Sequence, residues 1–300
     1  MPRCFHFFPV MNTREVSLTK TTLRFPSAVI AVVALFAVPS TLGQKITSEQ
    51  LVSKHLESIG TENARSAVTT RIIAGSSTVI FLTEPKGQAS GLAVLASDGH
   101  KNLIGLSFPS PVYPREQFGF DGNDFMAAFV TPGVRSSLGS FLMAHSMIFK
   151  QGLMGGVLSS AWALSNLSGA RLEYEGEKKI ENHNLYQLRY FPRGSSDLQI
   201  TLFFDVETFR HVRTEYLQVI PAQTGSRAMT NVEEREIRYK MIEDFSDFKR
   251  ESNLMLPHKY AIKLFVDSQS GTFSDNWQLS LSKFMFNEPI DPASFTFTTK

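Results

Sequence analysis

The chain has 300 residues, 30 basic against 28 acidic side chains, a formal charge of +2 and a single cysteine, Cys4. So near-balanced a charge leaves no basic footprint for nucleic acid, and one cysteine excludes an internal disulfide framework. Much of the slight basic excess sits at the start of the chain, where Arg3, Arg14, Lys20 and Arg24 face one acid, Glu15.

That basic stretch leads into an apolar run from Ala28 to Val38, which Pro39 and Ser40 break. Thr41-Leu42-Gly43 then places small residues at the −3 and −1 positions before Gln44. The order predicts a secretory signal over residues 1–43, with Met11 an alternative start, and the apolar run is too short to span a bilayer. Its removal takes away four basic residues, one acid and the only cysteine. The 257 residues left carry 26 basic and 27 acidic side chains, a formal charge of −1. A chain of that size can build a core without disulfides. No later run reaches the eighteen or so apolar residues of a spanning helix.

Thr47 to Ala64 predicts a helix. Thr47 or Ser48 can cap it, Leu51, His55, Leu56 and Ile59 share a face, and Gly60 closes it in a left-handed turn. From about residue 69 the apolar period changes from 3.6 to 2. Arg71 to Glu84 and Gln88 to Ala96 flank a Pro85-Lys86-Gly87 turn, and a further strand carries Ile104, Leu106 and Phe108. Phe118 and Phe120, then Phe125 and Phe129, flank an Asp121-Gly122 turn. In the second half, alternation recurs around 186–190, 198–205, 212–216, 260–264 and 276–286. Roughly ten alternating strands on short connections predict an antiparallel sheet with one apolar face, and no βαβ rhythm supports a doubly wound fold.

Residues 135–166 interrupt the strands. Leu138, Phe141, Leu142, His145, Phe149 and Leu153 recur at helical spacing, with Met143, Met147 and Met154 on the flanks. Gly152, Gly155 and Gly156 weaken a helix there, each by up to about 1 kcal/mol relative to alanine. The segment predicts a long apolar helix that either plugs a curved sheet permanently or covers it as a mobile lid.

Three local motifs carry a resemblance. The first is Leu51-Val52-Ser53-Lys54-His55-Leu56 with Ile59-Gly60, running into Thr70 and Ile72. The second is the hairpin "FGFDGNDFMAAFVTP", and the third is the ending Phe286-Asn287-Glu288-Pro289-Ile290-Asp291-Pro292-Ala293-Ser294-Phe295. With the turn from Asp205 to Phe209, they make the chain resemble the periplasmic outer-membrane lipoprotein carrier (LolA-like) superfamily over most of residues 48–297. The resemblance implies a mainly β, α+β architecture: a curved, unclosed antiparallel half-barrel with helices on its concave side, in one domain over 44–300. It implies carriage or sensing of acyl chains without catalysis. Two departures are visible: phenylalanines stand where many members have a tryptophan in the second hairpin strand, and the helical insertion is long and glycine-rich.

The mature histidines, His55, His100, His145, His183, His211 and His258, form no compact ligand cluster, so neither a metal nor another cofactor is expected. His145 reads as a core histidine and His100 as a turn residue. No G-x-S-x-G elbow surrounds a serine, the lysine of a phosphate loop is missing near Gly152, and the runs 173–179, 233–238 and 249–250 read as solvated charge. The sequence therefore leads to a non-catalytic periplasmic binding protein, in peripheral rather than integral contact with the membrane. Its expected ligand is the acyl chain of a lipid or lipoprotein, lined by Phe118, Phe120, Phe125, Phe141, Met143, Met147, Leu153, Met154 and Trp162. The alternatives are an envelope sensor that binds a protein partner on the same fold, and an exported hydrolase assembled across strands.

Overall fold

The computed structural model describes residues 46–167, 169–222, 236–269 and 271–297. The expected signal, residues 1–43, lies outside the described residues. Helix α1, Ser48–Ile59, opens with a reciprocal cap: the Gln50 amide donates to the Thr47 hydroxyl at 3.2 Å, and the Thr47 amide donates to the Gln50 side chain at 3.1 Å. The cap satisfies two amides that a helix start leaves without partners. Leu51, Val52, His55 and Ile59 form its buried face. Gly60 does end the helix, but at φ 157° rather than in the left-handed turn its position predicts. Glycine suits the site because a Cβ would stand 2.8 Å from the Asn253 carbonyl oxygen. A short helix, α2, follows at Glu62–Ser66.

Twelve strands then form one antiparallel sheet. The first run is β1 (Thr70–Phe81), β2 (Gly87–Asp98), β3 (Lys101–Ser107), β4 (Arg115–Phe120) and β5 (Phe125–Ala127). The second is β6 (Arg171–Ile180), β7 (His183–Phe191), β8 (Gln199–Asp205), β9 (His211–Ile220), β10 (Ile237–Glu251), β11 (Leu254–Ser268) and β12 (Gly271–Phe286). Within each run every strand pairs with the next, and β1 pairs with β12 at the seam. The spatial order is therefore β5-β4-β3-β2-β1-β12-β11-β10-β9-β8-β7-β6, unclosed, with β5 and β6 at the two edges.

The alternation predicts about ten of these strands and omits β6 and β10. β10 reads as charge because Arg238, Lys240 and Asp244 leave its outer side. There they meet neighbours across the ladder: Asp244 pairs with Arg213 at 2.6 Å and Lys263 at 2.9 Å, and Lys240 pairs with Glu215 at 3.1 Å. Its inner side carries Tyr239, Met241, Glu243 and Phe245, of which the last three are buried. β6 is an edge strand whose exposed glutamates and lysines, with a bulge between Tyr174 and Gly176, blunt its open side.

This topology dictates the path of the described residues between β5 and β6. They must travel from one sheet edge to the other, and they do so across the inner face. The expected long helix is instead two short ones, α3 (Ser137–Ala144) and α4 (Met147–Lys150), followed by tight turns with 3-10 pieces at Gly156–Leu158 and Ala163–Ser165. Phe149 meets Phe118 and Phe125 on β4 and β5, while Gln151 bonds Tyr190 on β7 and Trp162 stacks on His211 of β9. A single short segment reaches both flanks because the sheet wraps around it, which makes the molecule an open half-barrel filled from within. After β12, Asn287 ties the chain back to Thr69 and Ala67, and Phe295 is fully buried against the outer side at Gly119, where a Cβ would lie 2.7 Å from the Phe295 carbonyl oxygen.

Candidate functional site

The half-barrel interior is closed where the crossing docks. Of the expected ligand residues, Phe118, Phe120, Phe125, Phe141, Leu153, Met154 and Trp162 are all buried in one continuous core. Met147 packs against that core partly exposed, and Met143 faces outward at 38% exposure. The three glycines belong to the docking. All have positive φ, and a Cβ on Gly152 would stand 1.7 Å from the Ala161 carbonyl oxygen. On Gly156 it would stand 2.9 Å from His211 Nδ1 and 3.0 Å from the Phe245 ring. Glycine is required at both positions for close approach.

Polar groups hold the crossing in register. Glu243, buried at the centre of β10, accepts from Tyr260 at 2.6 Å, Tyr216 at 2.7 Å and the Gly155 amide at 2.8 Å. The buried Arg71 guanidinium donates to the carbonyls of Val157 and Ser159. Trp162 Nε1 donates at 2.9 Å to Nε2 of His55, whose Nδ1 bonds the Phe209 carbonyl at 3.0 Å. A second buried cluster joins Trp277, Tyr113 and Glu116 at 2.8 Å per link. Among the described residues no three His, Cys, Asp or Glu stand together as a metal site.

Burial pushes the carboxyls of Glu243 and Glu116 up to about 7, despite the hydrogen bonds they accept, and that of Asp275 to about 6. Burial also holds the His55 imidazole down at about 4 and lowers His211. The two sets oppose each other in stability. Between the ordinary carboxylate range and about pH 7, folded Glu243 keeps a proton that the unfolded chain loses, so its contribution falls as pH rises. The histidines are protonated first in the unfolded chain, so their contribution falls as pH drops below about 6.5. In Glu243→Gln only the first limb should change. We expect the variant's unfolding free energy, measured in urea, to gain on the parent by about 1–3 kcal/mol from pH 5 to pH 7. A difference that stays flat across that range would mean the carboxyl titrates normally.

Open space lies beside α3, at one end of the sheet. Because neighbouring strands run antiparallel, the end of β9, the start of β10, the end of β11 and the start of β12 meet there. Their register sets Gln218, Tyr239, Val266 and Phe273 side by side in one row. Above the row stands one face of α3, where Ser137, Ser140, Phe141 and Ala144 recur at helical spacing. Between them is a cleft of about 750 Å³, also lined by Arg135, His145, Ile220 and Ile237. Its size is that of an ordinary small-molecule site. His145, 7% exposed, bonds Gln218 at 3.1 Å and so satisfies the expectation of a core histidine.

No family model matches the chain, and no curated protein matches it. Solved structures do. The chain is similar to a LolA superfamily protein. That structure, from Nitrosomonas europaea, shares 14% identity and a TM-score of 0.45 over 84% of this chain and 98% of its own. An outer membrane lipoprotein-sorting protein domain from Vibrio parahaemolyticus shares 14% identity over 81% and 97%, with a TM-score of 0.39. A DUF1329 family protein from Desulfovibrio piger shares 9% identity over 83% and 96%, with a TM-score of 0.37.

Of the nine residues singled out from the sequence, Phe141 lines the α3 cleft. Phe120 lines a different, more polar cleft of about 410 Å³ with His100, Lys150, Gln151 and Arg193. The α3 cleft's sheet wall escapes sequence reading because Tyr239 lies in the charge-masked β10, and Val266 and Phe273 lie beyond the ends of the legible alternation. The aromatic-aliphatic pair Phe265-Val266, directly after Leu264, was the available signal.

Proposed function

We propose that the protein is a non-catalytic periplasmic binding protein that holds an acyl chain of a lipid or lipoprotein in the cleft between α3 and the sheet. The observation that supports this reading is the cleft itself: Phe141 on one wall and the row of Tyr239, Val266 and Phe273 on the other. It lies at an end of the half-barrel, beside the docked crossing whose apolar side chains are packed into the core. Each CH₂ taken from water contributes about 0.8 kcal/mol, so half a long chain gives roughly micromolar binding after ordering costs. The cleft is a more economical site than the space beneath the crossing, because an occupant there need not displace packed core.

Val266 is half-buried at the centre of the row, so a carboxylate there should disturb the cleft more than the core. We expect Val266→Asp to weaken a fluorescent long-chain acyl probe at least tenfold while leaving the melting temperature within a few degrees of the parent. Failure of the parent protein to bind any such probe would remove the reading. Native mass spectrometry of the protein taken from its own envelope is the complementary test. A co-purifying lipid supports acyl carriage; a stoichiometric protein partner without lipid would favour the sensor reading.

A further inference from the structure

The α3 cleft has a one-sided charge pattern, and its interpretation rests on the acyl-binding reading above. Arg135 and His145 line it, and among the described residues no aspartate or glutamate does. His145 is already engaged, by Gln218 at 3.1 Å and by Asp197 at 3.8 Å. Arg135 differs. Its Nε donates to the Ala127 carbonyl at 3.1 Å, and its guanidinium lies 4.5 Å from the centre of the Phe129 ring. Those two contacts orient the plane and neutralise nothing. Among the described residues no carboxylate forms an ion pair with Arg135, and its two Nη groups make no hydrogen bond.

On the same inner face the carboxylate nearest the row by register is Asp275, one row deeper than Phe273, with Glu243 two rows deeper than Tyr239 and held by Tyr260, Tyr216 and the Gly155 amide. Glu116 lies deeper too, bonded to Tyr113. Burial raises all three toward their neutral forms. None is a full counter-charge for Arg135. The unused Nη edge is a two-donor fork whose spacing matches the two oxygens of a carboxylate. A chain laid along Tyr239, Val266 and Phe273 could end at that fork.

We propose that the cleft selects an anionic amphiphile, a single acyl chain ending in a carboxylate, with Arg135 receiving the head group. The carboxylate would pair with a guanidinium that no described carboxylate neutralises, and the apolar row would take the chain.

The test is displacement of a neutral fluorescent acyl probe by laurate, dodecanol and dodecylammonium at one ionic strength. Laurate should displace the probe at roughly tenfold lower concentration than dodecanol, the size expected of one charged hydrogen-bonded pair. Arg135→Gln should abolish that preference and leave dodecanol unchanged. Should Arg135→Gln fold poorly, Ser140→Asp carries the test, since Ser140 is exposed on the cleft face of α3. It should weaken laurate several-fold and strengthen dodecylammonium. Equal displacement by laurate and dodecanol, or a preference that survives both substitutions, would overturn the assignment of Arg135 and leave acyl binding standing. Dodecyl phosphate displacing tenfold better than laurate would overturn the carboxylate. A parent protein that releases the probe to none of these ligands would remove the acyl reading itself.

Discussion

Gly152→Val should lose more than about 4 kcal/mol of unfolding free energy, enough to leave little folded protein at 37 °C. Two effects add. The residue sits at φ +70°, where a β-branched side chain is strained, and its Cβ would fall 1.7 Å from the Ala161 carbonyl oxygen. The neighbour is main chain held by the bond from the Ala163 amide to the Gly152 carbonyl at 2.9 Å, so it cannot swing aside. Urea unfolding followed by tryptophan fluorescence measures the loss directly. A hinge glycine in a mobile lid would behave otherwise, because the substituted chain could stay folded with the cover open. A melting temperature within a few degrees of the parent would therefore mean that the crossing is not packed as described.

Trp162→Ala should cost about 3–5 kcal/mol, the range for removing a large buried aromatic. The side chain is 2% exposed, its ring lies 4.8 Å from that of His211, and its Nε1 donates to His55. Truncation would open a cavity and leave a buried imidazole nitrogen without its donor. Trp162→Phe separates the two losses: it keeps most of the packing and should cost about 1–3 kcal/mol for the unsatisfied nitrogen. Denaturant titration of both variants gives the comparison. If Trp162→Ala were nearly neutral in stability and tightened binding of an acyl probe, the tryptophan would belong to a site that opens.

The sequence makes the sheet legible wherever one strand face is apolar and the other wet. Tyr186, Leu188 and Tyr190 are clear because Gln187 and Arg189 separate them, and the same holds for Ile200, Leu202 and Phe204. It fails where charge appears on both faces. In β10 the outer Arg238, Lys240 and Asp244 flank an inner Glu243, and nothing in the sequence says that two distant tyrosines and the Gly155 amide receive that carboxyl. The crossing shows the complementary failure. Its apolar period is real, and Leu138, Phe141, Leu142, Phe149 and Leu153 are buried as the pattern predicts. The glycines at 152, 155 and 156 read as weakness only because their neighbours come from β9, β10 and residue 161, contacts that no local pattern records. Arg135 is invisible as a site residue for a related reason: its distinction is that no described carboxylate pairs with it, and partners are assigned by the fold.

The seam between β1 and β12 has a consequence for the growing chain. β1 finds β2 across a short turn, but its other neighbour is the last strand made. Until then β1 has an open edge of twelve residues that includes Ile72, Ile73, Val79, Ile80 and Phe81. Such an edge is a template for pairing with other chains, and closing a loop this long is slow. Both halves can zip up as local hairpins, yet the seam cannot form until the final strand arrives. A chain truncated before β12 is thus left with the edges of both β1 and β11 open, so self-association, and not merely reduced stability, is the hazard that this topology carries.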